Sequence, residues 1–310
     1  MILTGESDLI NPQGQNLLNN GAASLLAGLE LTLYKDKAGF INNVKVGFLA
    51  GTDWSGTFPG YWQNLPGGNS TNGGLFDTAL LATQAVTFAQ YWTLTNTFAN
   101  VYSNDVADGT VSVRGGAICN LTICSGFPTL VFDTLKLSLN DSFTGWPITF
   151  NPYVTFYYEL PSIGSIGGGS VSGACFSCQV NNYDFFIGMT PTWDWTKSFG
   201  VPITWKVPTY VTVGPASFWN GNPNGLGTIN PGGDVGTFTI GLTGVYNMTW
   251  MPAQYGHWFL QAGFQWYDVI NTSLQVSNAV SICGNTNVTA CGSGNTSSIF
   301  VGFGGIGVAF

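Results

Sequence analysis

Apolar and polar residues alternate with period two along most of the chain, which is the pattern of strands with unlike faces. Between Thr237 and Thr249, Phe238, Ile240, Leu242, Tyr246 and Met248 share one face. Thr237, Thr239, Thr243 and Asn247 share the other. The next such segment sets Trp258, Leu260, Ala262, Phe264 and Trp266 against His257, Gln261, Gly263 and Gln265. The pattern predicts eleven strands, at 23–34, 40–51, 75–90, 92–102, 129–140, 147–159, 182–195, 202–214, 236–249, 256–268 and 298–310. Alternation is weaker over 75–102, where Gln84 and Asn96 interrupt the apolar face. Pro152, Pro191 and Pro208 fall inside these segments. A proline gives no N–H to a sheet ladder and is expected at edges or bulges, so these three either count against the strand assignment or mark bulges.

The connections alternate in length. Short ones fall near Lys35–Gly39, Tyr91, Ser142–Trp146, Lys197–Gly200 and Pro252–Gly256. Long ones fall at about 52–74, 103–128, 160–181, 215–235 and 269–297. A meander of hairpins puts the two sets at opposite ends. Trp92, Trp146, Trp193, Trp195, Trp205, Trp250 and Trp258 all flank the short turns, as an aromatic girdle at a membrane interface requires. The last segment ends on the aromatic Phe310, with Phe300, Ile306 and Val308 on the same face.

Together these features resemble the bacterial outer-membrane β-barrels, with short periplasmic turns and long external loops. The resemblance is architectural and matches no subfamily motif. It implies an all-β fold: one transmembrane antiparallel up-and-down β-barrel spanning 1–310. Strand lengths fit the ~9–11 tilted residues that cross a bilayer. Parity then matters. Eleven strands would leave the first and last running the same way. Single-chain bacterial barrels have even numbers. A twelfth strand is therefore expected in the N-terminal 1–22, around Ile2–Ile10, or else that segment threads the lumen.

Composition narrows the classes. Only 7 % of the 310 residues are charged, against about a quarter in soluble domains. Lys plus Arg number 7 and net charge is −8, which excludes nucleic acid as a partner. The 43 glycines and the scarcity of helix-forming charged residues argue against a helical enzyme. A soluble β-sandwich, for instance a secreted carbohydrate-binding domain, would also alternate, but its polar face meets water and carries Lys and Glu. Here that face is Thr, Asn, Gln, Gly and Tyr, as a confined lumen would be. No basic n-region followed by an apolar stretch opens the chain, so any secretory signal is expected to have been removed.

Candidate chemistry is sparse. Cys119 and Cys124, Cys175 and Cys178, and Cys283 and Cys291 form three close pairs in the long loops. Local disulfides in an oxidising compartment are the expectation, and a metal is not, since only one pair has Cys-x2-Cys spacing. The single histidine, His257, sits beside a short turn and lacks the partners of a hydrolytic triad. No catalysis and no cofactor are expected. The sequons at Asn69, Asn120, Asn271, Asn287 and Asn295 are expected by chance in an Asn- and Thr-rich chain. By parity Glu30, Lys45, Lys136 and Lys206 point to the polar side near the short turns. They read equally as a constriction that sets ion selectivity and as a salt-bridged plug. The expected function is porin-like passive movement of small solutes or ions. The alternative is a closed structural barrel whose loops contact an envelope protein or surface layer. Outer-membrane lipid is the expected partner, with a second copy or an envelope protein as further candidates.

Overall fold

A computed structural model of the chain describes residues 1–10, 16–55, 74–103, 129–160, 183–215, 218, 234–272, 274–275 and 297–310. Twelve antiparallel strands form one closed sheet. β1 is Ile2–Ile10, β2 Asn16–Lys35, β3 Ile41–Ser55, β4 Gly74–Phe88, β5 Trp92–Ser103 and β6 Thr129–Leu139. Three strands come in two pieces: β7 is Ile148–Thr149 with Pro152–Leu160, β8 Tyr183–Met189 with Thr192–Asp194, and β9 Ile203–Lys206 with Thr209–Val213. β10 is Val235–Asn247, β11 His257–Val269 and β12 Ser298–Ala309. Each strand pairs with its chain neighbours. The twelfth strand is where parity demands it. β1 pairs with β12 from Ile2 opposite Gly307 to Glu6 opposite Phe303, and it pairs with β2 on its other edge. The seam is tied at the end by reciprocal bonds, Val308 N–H to Met1 O and the N-terminal amine to Val308 O, each 2.9 Å. Closure leaves none of the described strands with a free edge.

The three prolines mark one continuous seam across three strands. β7 breaks at Phe150–Asn151, β8 at Thr190–Pro191 and β9 at Val207–Pro208. Register is the same on both sides of the breaks: Thr149 faces Thr192 and Pro152 faces Met189, while Thr192 faces Lys206 and Met189 faces Thr209. The breaks therefore add no residue and are not bulges. Backbone bonds still cross the breaks, from Thr190, Val207 and Gly241 N–H to Phe150, Pro191 and Pro208 O at 2.8 to 2.9 Å, and on β7 two amides are taken up from the preceding turn. Asp141 accepts from the amides of Phe150 at 2.8 Å and Asn151 at 3.1 Å. Asn151, at φ +47°, donates through its side chain to Thr149 Oγ1 and Thr190 O at 2.9 and 3.2 Å.

The short connections sit together at one rim. Asn42 ties two of them: its amide donates to Asp36 O and Gly39 O at 3.2 and 2.8 Å and accepts from Gln90 N–H at 2.6 Å. The β6–β7 turn is a 3-10 helix, Asp141–Thr144, and the β8–β9 turn a short α-helix, Trp195–Phe199. Each is capped by an Asn or Asp acceptor and stopped by a left-handed glycine, Gly145 and Gly200.

Two faces follow from the register. Leu29, Leu31, Phe98, Leu135, Ile187, Leu260 and Phe300 are large, apolar and exposed on the outer wall. Thr212, Thr237 and Thr239 are fully buried on the inner one. The inner wall is not uniformly polar, however. Glycines face rings across strands: a Cβ on Gly263 would sit 2.8 Å from the Phe303 ring, and one on Gly307 would collide with Phe259. Inward glycines thus make room for inward rings, a reason for the glycine content that hydropathy does not reveal.

Candidate functional site

The lumen is the candidate site, and its two halves differ. Twelve strands about 4.8 Å apart and tilted ~40° enclose a ring roughly 24 Å across between backbones. Side chains from opposite walls then leave about 12 Å or less. At the short-turn half, Lys45 and Glu30 meet at 2.5 Å on adjacent strands, with side chains 35 % and 60 % exposed. Water reaches them although both point inward. Lys136 lies three strands along the same register row, through Ala85 and Thr95. Its ammonium sits 4.1 Å from the centre of the Tyr153 ring. Lys206 is exposed between Thr192 and Thr243. The four sequence-predicted charges therefore divide into one ion pair, one cation on an aromatic face and one cation without an ion pair among the described residues. Three cations against one carboxylate leave this half positive.

The other half carries an apolar layer. Tyr267, Val269, Ile299 and Val301 point inward and are buried, and Leu274 packs among them at 7 % exposure with Phe218 against the group. The rings of Phe132, Tyr157 and Phe186 continue this layer, with Tyr157 5.1 Å from Phe132 and 6.3 Å from Phe218 between centroids. Leu274 and Phe218 belong to no strand; they come from the long connections and reach into the barrel mouth. A polar seat holds them. Asn271 is 1 % exposed, its side chain accepts from Leu274 N–H at 3.3 Å, and its own N–H donates to Gly236 O at 3.0 Å. Gln275 donates to Val269 O at 2.7 Å. Beneath the layer, Thr212 Oγ1 accepts from Thr237 N–H at 2.8 Å, and Asp184 is fully buried in the wall.

Sequence periodicity put the four charges on the polar side and did not foresee the apolar layer. Tyr157, Phe186 and Tyr267 are aromatic, so hydropathy assigns them to lipid, whereas register turns them inward. Parity alone was the available signal: each shares a face with Thr155, Asp184 or Gln265. Phe218 and Leu274 lie in loops, where no period operates. The sequon at Asn271 is closed by its burial. His257 stands exposed at the short-turn rim. All six cysteines lie outside the described residues. Among the described residues, no group of three or more His, Cys, Asp or Glu could hold a metal ion.

The tryptophans expected at the short-turn rim are arranged as follows. Trp193, Trp195 and Trp205 form an edge-to-face cluster with Phe199, at centroid spacings of 5.5 to 5.8 Å. Trp258 donates its indole N–H to Tyr255 O at 2.8 Å. Trp92, Trp146 and Trp250 are exposed. On β11 the outward row runs from Trp258 through Leu260, Ala262 and Phe264 to Trp266, whose indole bonds Ser298 Oγ at 2.8 Å. The eight steps from Trp258 to Trp266 cover about 20 Å along the barrel axis at ~3.3 Å rise and ~40° tilt.

The fold thus belongs to the class of closed up-and-down antiparallel β-barrels, and no helix among the described residues is long and apolar enough to cross a membrane. No protein-family model and no curated protein matches the chain. Among solved structures it is similar to outer membrane phospholipase A from Escherichia coli, at 12 % identity over 98 % of this chain and 90 % of that one, with TM-score 0.38. It is also similar to a Pseudomonas aeruginosa FadL homologue, at 11 % identity over 92 % of this chain and 67 % of that one, with TM-score 0.38. A third likeness is to a variant of OccD1 (OprD), at 13 % identity over 100 % and 75 %, with TM-score 0.30.

Proposed function

We propose that the chain is an outer-membrane barrel that passes small solutes or ions by passive diffusion and is closed at the loop-side mouth by the Phe218–Leu274 plug. The outer wall supports membrane seating: aromatic rows bound an apolar band whose ~20 Å height is close to the ~25 Å of such barrels. The observation that carries the channel reading is the gradient inside. Glu30 and Lys45 are wet, while Tyr267, Val269, Ile299 and Val301 are dry. A purely structural barrel has no need of a wet charged vestibule. The same plug favours a second reading, a closed envelope barrel in which those contacts are permanent. Local disulfides among the six cysteines would stiffen the long loops around the mouth and suit an envelope location.

Planar-bilayer recording separates the two. The wild type is expected to give discrete, infrequent steps. Leu274→Ala should raise open time or conductance severalfold, because it removes the side chain that completes the apolar layer. Phe218→Ala should act in the same direction. Silence from the wild type and both variants, with folded protein inserted, would leave the structural reading.

A further inference from the structure

The outer wall carries a polar spot partway along β4 to β6. Gln84 on β4 faces Asn96 on β5, and Phe98, next outward on β5, faces Asp133 on β6. Asn96 donates to Asp133 Oδ1 at 2.6 Å and to Thr134 O at 3.3 Å. All three share the outward parity of Phe98, Leu94, Leu80 and Leu135, which are exposed apolar residues around them. Gln84 is exposed, and its amide has no side-chain partner among the described residues. Elsewhere the outward rows are free of amides and carboxylates at this height: Phe185, Ile187 and Met189 on β8, Phe238, Ile240 and Leu242 on β10, Leu260, Ala262 and Phe264 on β11. Asn96 lies four residues from the rim residue Trp92, and Asp133 is level with a residue six away. At ~3.3 Å rise and ~40° tilt this puts them about 10 and 15 Å inside the apolar band.

We infer that this face, β4 to β6, is the contact through which a second copy of the chain associates laterally in the membrane. Apolar faces have no reason to leave lipid for one another, because lipid tails are equally apolar; hydrogen bonds are what drive contact there. The polar spot is therefore the feature of this wall able to select a partner. Its chemistry is self-complementary. A primary amide carries two donors and an acceptor, so a two-fold axis beside Gln84 sets the amide against its own copy with two N–H···O bonds. A partner offering only donors or only acceptors would leave half the groups unpaired. The inference rests on the membrane seating proposed above, but not on channel activity.

Sedimentation equilibrium in density-matched detergent micelles tests it. The wild type is expected to show a monomer–dimer equilibrium. The double variant Gln84→Leu/Asn96→Leu should raise the dissociation constant at least tenfold, and Leu260→Ala on the opposite wall should leave it unchanged. Gln84 has no side-chain partner among the described residues, so Gln84→Leu alone keeps the Asn96–Asp133 bond and should weaken the dimer in the same direction, while heat-modifiable gel mobility reports the folding of both variants independently. A wild type that stays monomeric at all micelle ratios overturns the inference. So does a dimer of equal strength in the double variant. Protein that shows neither heat-modifiable mobility nor insertion into phosphatidylcholine vesicles overturns the membrane seating itself, and the inference with it.

Discussion

Single side chains at the short-turn rim do the work that backbone pairing does elsewhere. Asp36 shows it in the β2–β3 turn. Its carboxylate accepts from Ala38 N–H at 2.9 Å and from the Tyr34 hydroxyl at 3.3 Å. The backbone bond from Ala38 is the main reason its acidity is held below the usual carboxylate value, against a smaller opposing effect of partial desolvation. A depressed folded-state value means that the ionised form holds the turn. The contribution is present above the unfolded-state value near 3.9 and is lost as pH falls through the lower folded value. Asp36→Asn should therefore lower thermal stability slightly at pH 7, and the gap between variant and wild type should close toward pH 2–3. A gap that widens on acidification would contradict this. The site is fully solvated, so the effect is small and salt-sensitive.

Strands and turns were legible in the sequence to different depths. The alternation of Thr and apolar residues placed β10 and β11 with their faces, because one side meets an apolar phase and the other does not. β1 was legible only through topology, since a barrel with both end strands parallel cannot close in an antiparallel meander. The prolines of β7 to β9 read as bulges or as evidence against the strands, and not as one aligned seam whose β7 amides are held from the preceding turn, because that hold depends on Asp141, nine residues before the amide of Phe150. That dependence is testable. Asp141→Ala leaves the amides of Phe150 and Asn151 without their acceptor in a part-buried setting, which costs about 1–2 kcal/mol. Asp141→Asn keeps one carbonyl acceptor and should cost less than half as much. Urea unfolding in detergent, followed by tryptophan fluorescence near Trp146 and Trp193, reads both. Equal losses in the two variants would mean that charge, not the acceptor geometry, holds the seam.

At the scale of the whole molecule, the shortage of charge becomes an arrangement. The outward faces of the described strands carry the large apolar side chains, the inward faces line a narrow lumen, and the described cations inside gather toward the short turns. The sequence could place Glu30, Lys45, Lys136 and Lys206 on one side but could not say which would meet, since Lys45 and Glu30 become neighbours only through the β2–β3 register. The resulting vestibule has three lysines and one glutamate, so the channel reading predicts an anion preference. Lys136→Glu changes the local charge by two units without touching the ion pair, and its reversal potential under a salt gradient should move toward cations. Lys45→Glu makes the same charge change but also sets two carboxylates side by side, so its shift should be larger and its conductance less steady. The field of these charges extends about 10 Å at 0.1 M salt and about 3 Å at 1 M. Both shifts should therefore shrink markedly between those concentrations, because only a lumen wider than the screening length lets ions pass the lysines unsorted. A selectivity insensitive to both substitution and salt would place the narrowest point away from the lysines, at the Phe218–Leu274 layer, where size rather than charge decides what passes.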